Sequence, residues 1–346
     1  MSTSSVTGDG RRPTMADVAR IAGVSLKTVS RVVNNVPTVD PQLARRVNAA
    51  VAELGFRRND MARNLRAGNS SATVGLLIED LANPFYAGIA AAAAQYALEH
   101  DTLLITASSE EDAEREQNLL LELCERRVDG LLVVPAGNAD HVYLRPEIER
   151  GMPIVFLDRP PRNLRADTVL IDNAAGARTA VESLVAAGHS RIGVISDWLS
   201  ISTMAERLAA AEKALEQAGI PYRPDLIKYG LHTVPDATAA VNAMLDGPEP
   251  PTAIFALNNR LTLGALSALN GRAARVELIG FDDFETAAFV PWPLTVVSYD
   301  VREIGRIGAE LLFSRIAGDR SRPKTVVVPT ELVVRSAGMA PAPGSR

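Results

Sequence analysis

The spacing of apolar residues changes character near residue 70. Before it, apolar positions recur every three or four residues in short stretches, the period of amphipathic helices. At 15–22 the inward positions are Val18, Ala19 and Ala22, and at 26–33 they are Val29 and Val32. In PQLARRVNAAVAEL, at 41–54, they are Leu43, Val47, Ala50, Val51 and Leu54. Three short helices are therefore predicted. Pro41 suits a first helical turn and Gly55 a C-terminal stop, while 59–67 can form a short fourth helix. Gly68-Asn69-Ser70-Ser71 reads as a linker. Beyond it, short apolar runs alternate with helical segments. The runs at 73–78, 102–106, 130–134, 154–157, 168–171, 192–195, 253–256, 277–281 and 295–298 read as strands. Helices are predicted at 87–99, 111–126, 174–187, 204–218, 238–245 and 260–269. Such alternation means β-α-β units and mostly parallel sheet. About ten strands exceed what one doubly wound domain usually holds, so two α/β lobes are predicted, with the carboxyl ends of their strands facing one cleft.

The helices at 15–22 and 26–33 flank Gly23-Val24-Ser25. Gly23 fits a tight turn needing positive φ, Val24 can plug the corner, and Ser25 is an N-cap candidate. With Val29 and Val32 inward, Leu26, Lys27, Thr28, Ser30 and Arg31 face outward. Lys and Arg reach guanine O6 and N7 or phosphates, Ser and Thr bond either, and Leu packs on a thymine methyl. The bland alternative is a helical hairpin with a solvated polar face.

Charge argues against that alternative. The chain carries a net −5, but residues 11–68 hold eleven Lys/Arg and four Asp/Glu, a net +7. The remainder holds 25 and 37, a net −12. A basic head on an acidic body is the asymmetry of a nucleic-acid-binding module joined to something else. The 346 residues, 47% of them hydrophobic, allow two or three domains with sizeable cores. With Cys124 as the single cysteine, no disulfide forms within the chain. His100, His141, His189 and His232 stand far apart, so no metal site and no cofactor are expected. No apolar run reaches about 18 residues, so no membrane span is expected. MSTSSVTGDG lacks the apolar core of a signal peptide. A soluble, cytoplasmic protein is expected. Asp282-Asp283, or Asp158 with Arg159, could do acid–base work. However, no Gly-x-Ser-x-Gly elbow, phosphate loop or metal-spaced cluster accompanies them, and the expectation is that the chain is not an enzyme. Three readings compete: a secreted sugar-binding protein, an α/β enzyme with a DNA tether, and a regulator.

MADVARIAGVSLKTVSRVVN, at 15–34, resembles the head of the LacI/GalR (lactose-repressor) family of bacterial transcription regulators, and VNAAVAELGFRRNDMARNLRAG continues the likeness. The resemblance implies an all-α helix-turn-helix head plus an α/β body of two doubly wound parallel-sheet lobes, like periplasmic sugar-binding proteins. It sets a disordered tail at 1–13, the DNA-binding domain at 14–58, a hinge helix and linker at 59–71, the body at 72–335 and a flexible tail at 336–346. Lobe one would take about 72–171 and 298–325, lobe two about 172–297 and 326–335. DNA contacts are implied for Thr14, Ser25, Leu26, Lys27, Thr28, Ser30, Arg31, Asn34, Phe56, Asn59, Arg63 and Leu65. Leu65 would be the minor-groove wedge, unstacking a base step at a few kcal/mol repaid by contacts to the bent duplex. Arg57, Arg58, Arg63 and Arg66 beside it suit phosphates, whereas Asp60 departs from the small residues common there. Two heads imply a homodimer on a palindromic operator of double-stranded DNA. The tail SAGMAPAPGSR has no heptads for tetramer formation.

In the body, LIEDLANPFY at 77–86 matches a strand-end loop of the family, with Phe85 and Tyr86 suited to stacking on a ring. Asp158 and Arg159 before Pro160, Arg207, Asn258, Asn259, Asp282 and Tyr299 complete the implied effector site. Asn259 stands where an acid is usual, Ala210 where Gly is usual, and Tyr299 where Gln is frequent. The chain is thus expected to be a ligand-responsive repressor whose effector is a sugar or related metabolite. Both senses of response, release of DNA or tighter binding, occur in the family, and the sequence does not choose between them.

Overall fold

The computed structural model describes residues 13–34, 36–56, 71–221, 223–272, 275–290 and 292–335. The hinge expected at 59–67, with Asn59, Arg63 and Leu65, and the tails at 1–12 and 336–346 lie outside the described residues. The chain forms two compact units, Met1–Ser71 and Ala72–Arg346.

In the first unit, helices α1 (Met15–Ala22), α2 (Leu26–Val33) and α3 (Pro41–Leu54) surround a small core. Thr14 and Asp17 form a reciprocal capping box at the start of α1, satisfying amides that have no partner within the helix. Gly23 ends α1 in the left-handed region, at φ 61°, where a side chain would be strained. Ser25 caps α2 by accepting from the Thr28 amide at 3.1 Å. Asp40 caps α3 ahead of Pro41. Val18, Val29 and Val47 are fully buried, one from each helix.

The second unit holds two six-stranded sheets. The first orders its strands β11 (Thr325–Val328), β5 (Asp167–Ile171), β4 (Ile154–Asp158), β3 (Leu131–Val133), β1 (Thr73–Ile78), β2 (Leu103–Ser108), all parallel. The second orders β12 (Glu331–Arg335), β10 (Leu294–Ser298), β9 (Glu277–Phe281), β8 (Ala253–Ala256), β6 (Ile192–Ile195), β7 (Ile227–Lys228), with β12 alone antiparallel. Helices cover both faces, so alternate residues of one strand enter different cores. In the first sheet, Leu76 and Ile78 share a core with Ile89 of α4 (Pro84–Glu99) and Ile304 of α11 (Val301–Ile316). Leu77, between them, packs with Leu120 and Leu123 of α5 (Ala113–Glu125). In the second sheet, Val194 and Phe255 face α7 (Asn173–Ala186) and α8 (Ser202–Gln217). Ile195 and Ile254 face α9 (Val234–Leu245) and α10 (Asn259–Leu269). A short helix, α6 (Arg145–Glu149), follows β3.

Three differences from the expected pattern have physical causes. Helices α4 and α9 start earlier than the apolar period implied, because Asn83 and Thr233 cap them and prolines occupy their first turns. Helix α11 was not expected, since Gly305 and Gly308 interrupt its apolar stripe. They are buried because α11 lies directly against α4 and sheet one, and a methyl on Gly305 would run into the Ile89 carbonyl. Finally, the last passage between lobes comes after Val328, not at 326. Strand β11 pairs with β5, Thr325 opposite Thr168, so it completes sheet one. Ser298 likewise belongs to β10 in the second sheet rather than to lobe one. The chain crosses between lobes at three adjacent places, after β5, β10 and β11. Two are stitched together where the Asp172 amide donates to the Val328 carbonyl at 3.0 Å. Among the described residues, no helix is long and apolar enough to cross a membrane.

Gly305→Ala should lower the unfolding free energy of the body by about 1–3 kcal/mol, the usual cost of overpacking a tight core contact. Denaturant melts of the full chain would show this as a lower midpoint, and an unchanged midpoint would mean that the α4–α11 contact yields without cost.

Candidate functional site

The outer face of α2 carries the residues expected to read DNA. Ser25, Leu26, Lys27 and Arg31 are exposed, Leu26 by 53%, while Thr28, Ser30 and Asn34 are half-buried. No acid lies between Ser25 and Asn34. The Arg31 guanidinium donates to the Thr38 hydroxyl at 2.6 Å, which restricts its reach. Ser30 accepts from the Asn34 amide at 3.3 Å. The remaining expected contacts sit differently. The Thr14 hydroxyl donates to Asp17 at 2.6 Å. Phe56 packs against the helical core.

In the second unit, the carboxyl ends of β1, β4, β6, β8 and β9 line a cleft between the lobes. Side chains leave a small free volume there, about 30 Å³. Phe85, Tyr86, Asp158, Arg159, Arg207, Asn258, Asn259 and Asp282 all line it. The fold brings them together from positions up to about two hundred residues apart, because parallel strands end on one side.

Two buried arginines organise the walls. Arg159 Nη1 donates to both Glu111 oxygens, at 2.9 and 2.8 Å, and to the Pro135 carbonyl at 2.7 Å. Its Nη2 donates to Glu79 at 2.8 Å and to the Tyr86 hydroxyl at 3.1 Å. Its Nε lies 3.3 Å from Asp158. Five donations from its two terminal nitrogens thus go to lobe one itself, and Nε alone has no hydrogen-bond partner. Arg207 donates to Asn173 and the Leu257 carbonyl, each at 2.7 Å, and pairs with Asp282 at 3.0 Å. Its guanidinium also lies 3.6 Å over the Phe281 ring, a cation–π contact.

Asp158 and Asp282 end equivalent strands in the left-handed region, at φ 65° and 68°, a strained conformation found at functional positions. Asp158 is 4% exposed and its Oδ1 has no hydrogen-bond partner. Burial pushes its pKa up to about 6, against the pull of Arg159 and Arg207. Burial also pushes Glu111 up to about 7. Glu79 goes the other way, to about 2, because Arg159, the Tyr86 hydroxyl and Arg260 outweigh its burial. Two carboxylates sharing one guanidinium explain the split.

Tyr299 does not line the cleft. Its hydroxyl donates to Asp282 at 2.5 Å, so it steadies that acid from behind instead of capping a ligand. Tyr86 and Phe85 meet edge to face, their ring centroids 4.8 Å apart, and the Tyr86 hydroxyl is held by Glu79 at 2.6 Å. Sequence reasoning missed Glu79, Asp197 and Arg260, which also line the cleft. Asp197 follows β6 as Asp158 and Asp282 end their strands, a recurrence that could have flagged it. It accepts from His232 at 3.0 Å and Asn258 at 3.2 Å. Among the described residues, no group of three or more His, Cys, Asp or Glu side chains could hold a metal.

Comparison with known proteins covers both units. The family model "Bacterial regulatory proteins, lacI family" matches residues 14–59. That of "Periplasmic binding proteins and sugar binding domain of LacI family" matches residues 71–336. The HTH-type transcriptional repressor PurR of Aliivibrio salmonicida is 30% identical over 326 residues, 93% of this chain and 98% of that protein. The HTH-type transcriptional regulator CelR of Thermobifida fusca is 34% identical over 342 residues, 95% and 99%. The crystal structure of the lac repressor dimer bound to operator and the anti-inducer ONPF has a TM-score of 0.80 at 28% identity, covering 95% of this chain and 100% of that one.

The raised pKa of Asp158 has a definite sign in stability. Between the ordinary 3.8 and about 6, the unfolded carboxyl has ionised while the folded one holds its proton, so stability from this group is lost as pH rises across that window. Asp158→Asn should gain on the wild type from about pH 4 to about pH 6, by up to about 3 kcal/mol, and hold that difference above it. Thermal melts across pH 4–8 check this, and a constant difference would show that Asp158 titrates normally.

Proposed function

The chain belongs to the LacI family of bacterial regulatory proteins, and from that premise we propose that it is a ligand-responsive repressor which binds a palindromic operator as a homodimer. The observation that carries the reading is the outer face of α2, where Ser25, Leu26, Lys27, Thr28, Ser30 and Arg31 present donors and one exposed apolar side chain with no acid among them. Phosphate contacts from basic residues supply affinity, while side chains at base edges supply preference. In this reading Asn59, Arg63 and Leu65 act at the centre of the operator, with Leu65 as the wedge. A nine-residue hinge helix is too short to be stable alone, so it folds when two copies meet on DNA. That makes hinge spacing the quantity the body controls.

The effector, a sugar or related metabolite, occupies the cleft. Asp158, with an unpartnered oxygen, and Asp282 accept its hydroxyls, Arg207, Asn258 and Asn259 orient it, and Phe85 and Tyr86 supply an apolar wall. Arg159 and Tyr299 hold these groups in place. The protein acts in the cytoplasm, as a binding protein rather than an enzyme, and needs no cofactor. Effector and operator affinities alter one another by the same factor.

Selection of bound duplexes from a random pool, followed by mobility shifts at about 0.15 M salt, where most exposed-charge attraction is screened, tests the reading. A palindromic consensus is expected, and no preference over bulk DNA would overturn it. Lys27→Ala should relax preference at one base pair in each half-site, worth about 1–3 kcal/mol. A loss equal for all sequences would make Lys27 a phosphate contact. Leu65→Ala should weaken specific binding and leave the body's melting temperature unchanged. Equal operator affinity would remove the wedge.

A further inference from the structure

We infer that Arg260 is a positioning residue of the response: with Glu79, Asp80 and the Asn83–Asn259 amide pair it forms a latch that holds the two lobes of the body closed. The inference rests on the reading that closure of this cleft is what the effector governs. It starts from where the three cleft arginines send their bonds. Every hydrogen-bond partner of Arg159 belongs to lobe one, and every hydrogen-bond partner of Arg207 belongs to lobe two. Arg260 differs. It stands on the first turn of α10 in lobe two, yet its Nη1 donates to Glu79 at 3.0 Å and its Nη2 to Asp80 at 2.5 Å, both at the end of β1 in lobe one. Parting the lobes therefore breaks the bonds of Arg260 and leaves those of the other two arginines intact.

The neighbouring residue, Asn259, adds a second pair. Its amide donates to Asn83 Oδ1 at 2.8 Å and accepts from Asn83 Nδ2 at 3.5 Å, across the same gap. Asn83 Oδ1 already accepts from the Phe85 amide as the cap of α4. A carboxylate at 259 has no proton to give that oxygen and would lose the shorter of the two bonds. The amide is what this closure requires.

The latch is built to open. The Arg260 and Asp80 side chains are 21% and 31% exposed, so water can solvate both once they part. Glu79 is shared: Oε1 takes Arg260 while Oε2 takes Arg159 and Tyr86, so it keeps partners in either state. The lobes also share part of one apolar core, and at Gly137 they touch backbone to backbone. A Cβ on Gly137 would lie 2.6 Å from the Ser200 carbonyl oxygen and 2.9 Å from the Ile201 nitrogen. That contact has no charge to hold it and depends on the latch for its persistence.

Hydrogen exchange of the full-length protein, without DNA or any small molecule, separates a latch from a local ion pair. In Arg260→Gln, amides at 136–139 and 198–204 should exchange about tenfold faster or more, as expected when a charge-assisted contact that holds a closed state is removed. The interiors of β4 and β8 should keep wild-type rates. Arg260→Lys, which keeps the charge but not the fork, should recover part of the protection, and Asn259→Asp should lose some. Wild-type rates at 136–139 and 198–204 in Arg260→Gln would overturn the latch. Should that variant fold poorly, salt raised from about 0.05 to about 1 M on the wild type should accelerate the same peptides, because the pair is partly exposed to screening; no acceleration would equally overturn it. A protein that selects an operator but shows unaltered exchange keeps its proposed function and loses the latch. One that shows the exchange change but no DNA preference does the reverse.

Discussion

A buried guanidinium is tolerated only where carboxylates and carbonyls offset its desolvation, and the described residues of the body include two, Arg159 and Arg207. Arg159 and Arg207 lie at the carboxyl ends of the two sheets, each beside an aspartate in a left-handed backbone position. Desolvating such ions costs several kcal/mol apiece, so each must have its partners fixed before the cleft can exist. Arg159 draws Glu79 from β1, Glu111 from the start of α5 and the Pro135 carbonyl beyond β3 onto one point. Arg207 does the same for Asn173, Leu257 and Asp282. The strand-end loops are thus held by ions rather than by apolar packing, and polar groups can face the cleft without collapsing into it.

That arrangement makes the body rigid within each lobe and weak between lobes. Within a lobe, bonds are buried and charge-assisted. Among the described residues, the lobes are joined by three short chain passages, the Arg260 ion pairs with Glu79 and Asp80, the Asn83–Asn259 amide pair, a backbone contact at Gly137 and part of a shared apolar core. Small differences in free energy at the cleft can therefore move whole lobes as bodies. The head is built on another scale. Its core rests on a few valines and alanines, and its order comes largely from caps at Thr14, Ser25 and Asp40. Such a unit presents a fixed face to DNA at little cost in chain length.

Much of this was legible before any coordinates. The helix-turn-helix was readable because its signals are local: Gly23 for the left-handed turn, Ser25 for the cap, and valines at helical spacing. The alternation of strands and helices was equally readable, because parallel strands buried on both faces are short and continuously apolar. The residues of the cleft were reached through motif resemblance rather than through chemistry, and chemistry then divided them. Arg159 and Tyr299 carry the right side chains for a ligand but are spent on neighbouring acids. Nothing near them in sequence announces those acids, since Glu79 and Glu111 lie far upstream of Arg159.

The sequence by itself determined the order of modules, the period of each element, the caps and turns, and the charge contrast between +7 head and −12 body, since all of these depend on residues close together in the chain. Only the tertiary structure decided which arginine is free to act across the cleft, which strand closes sheet one, and why residue 259 is an amide. Those outcomes depend on bonds between residues brought together by the strand order, and a bond across 181 positions, as between Glu79 and Arg260, leaves no period or local motif to read.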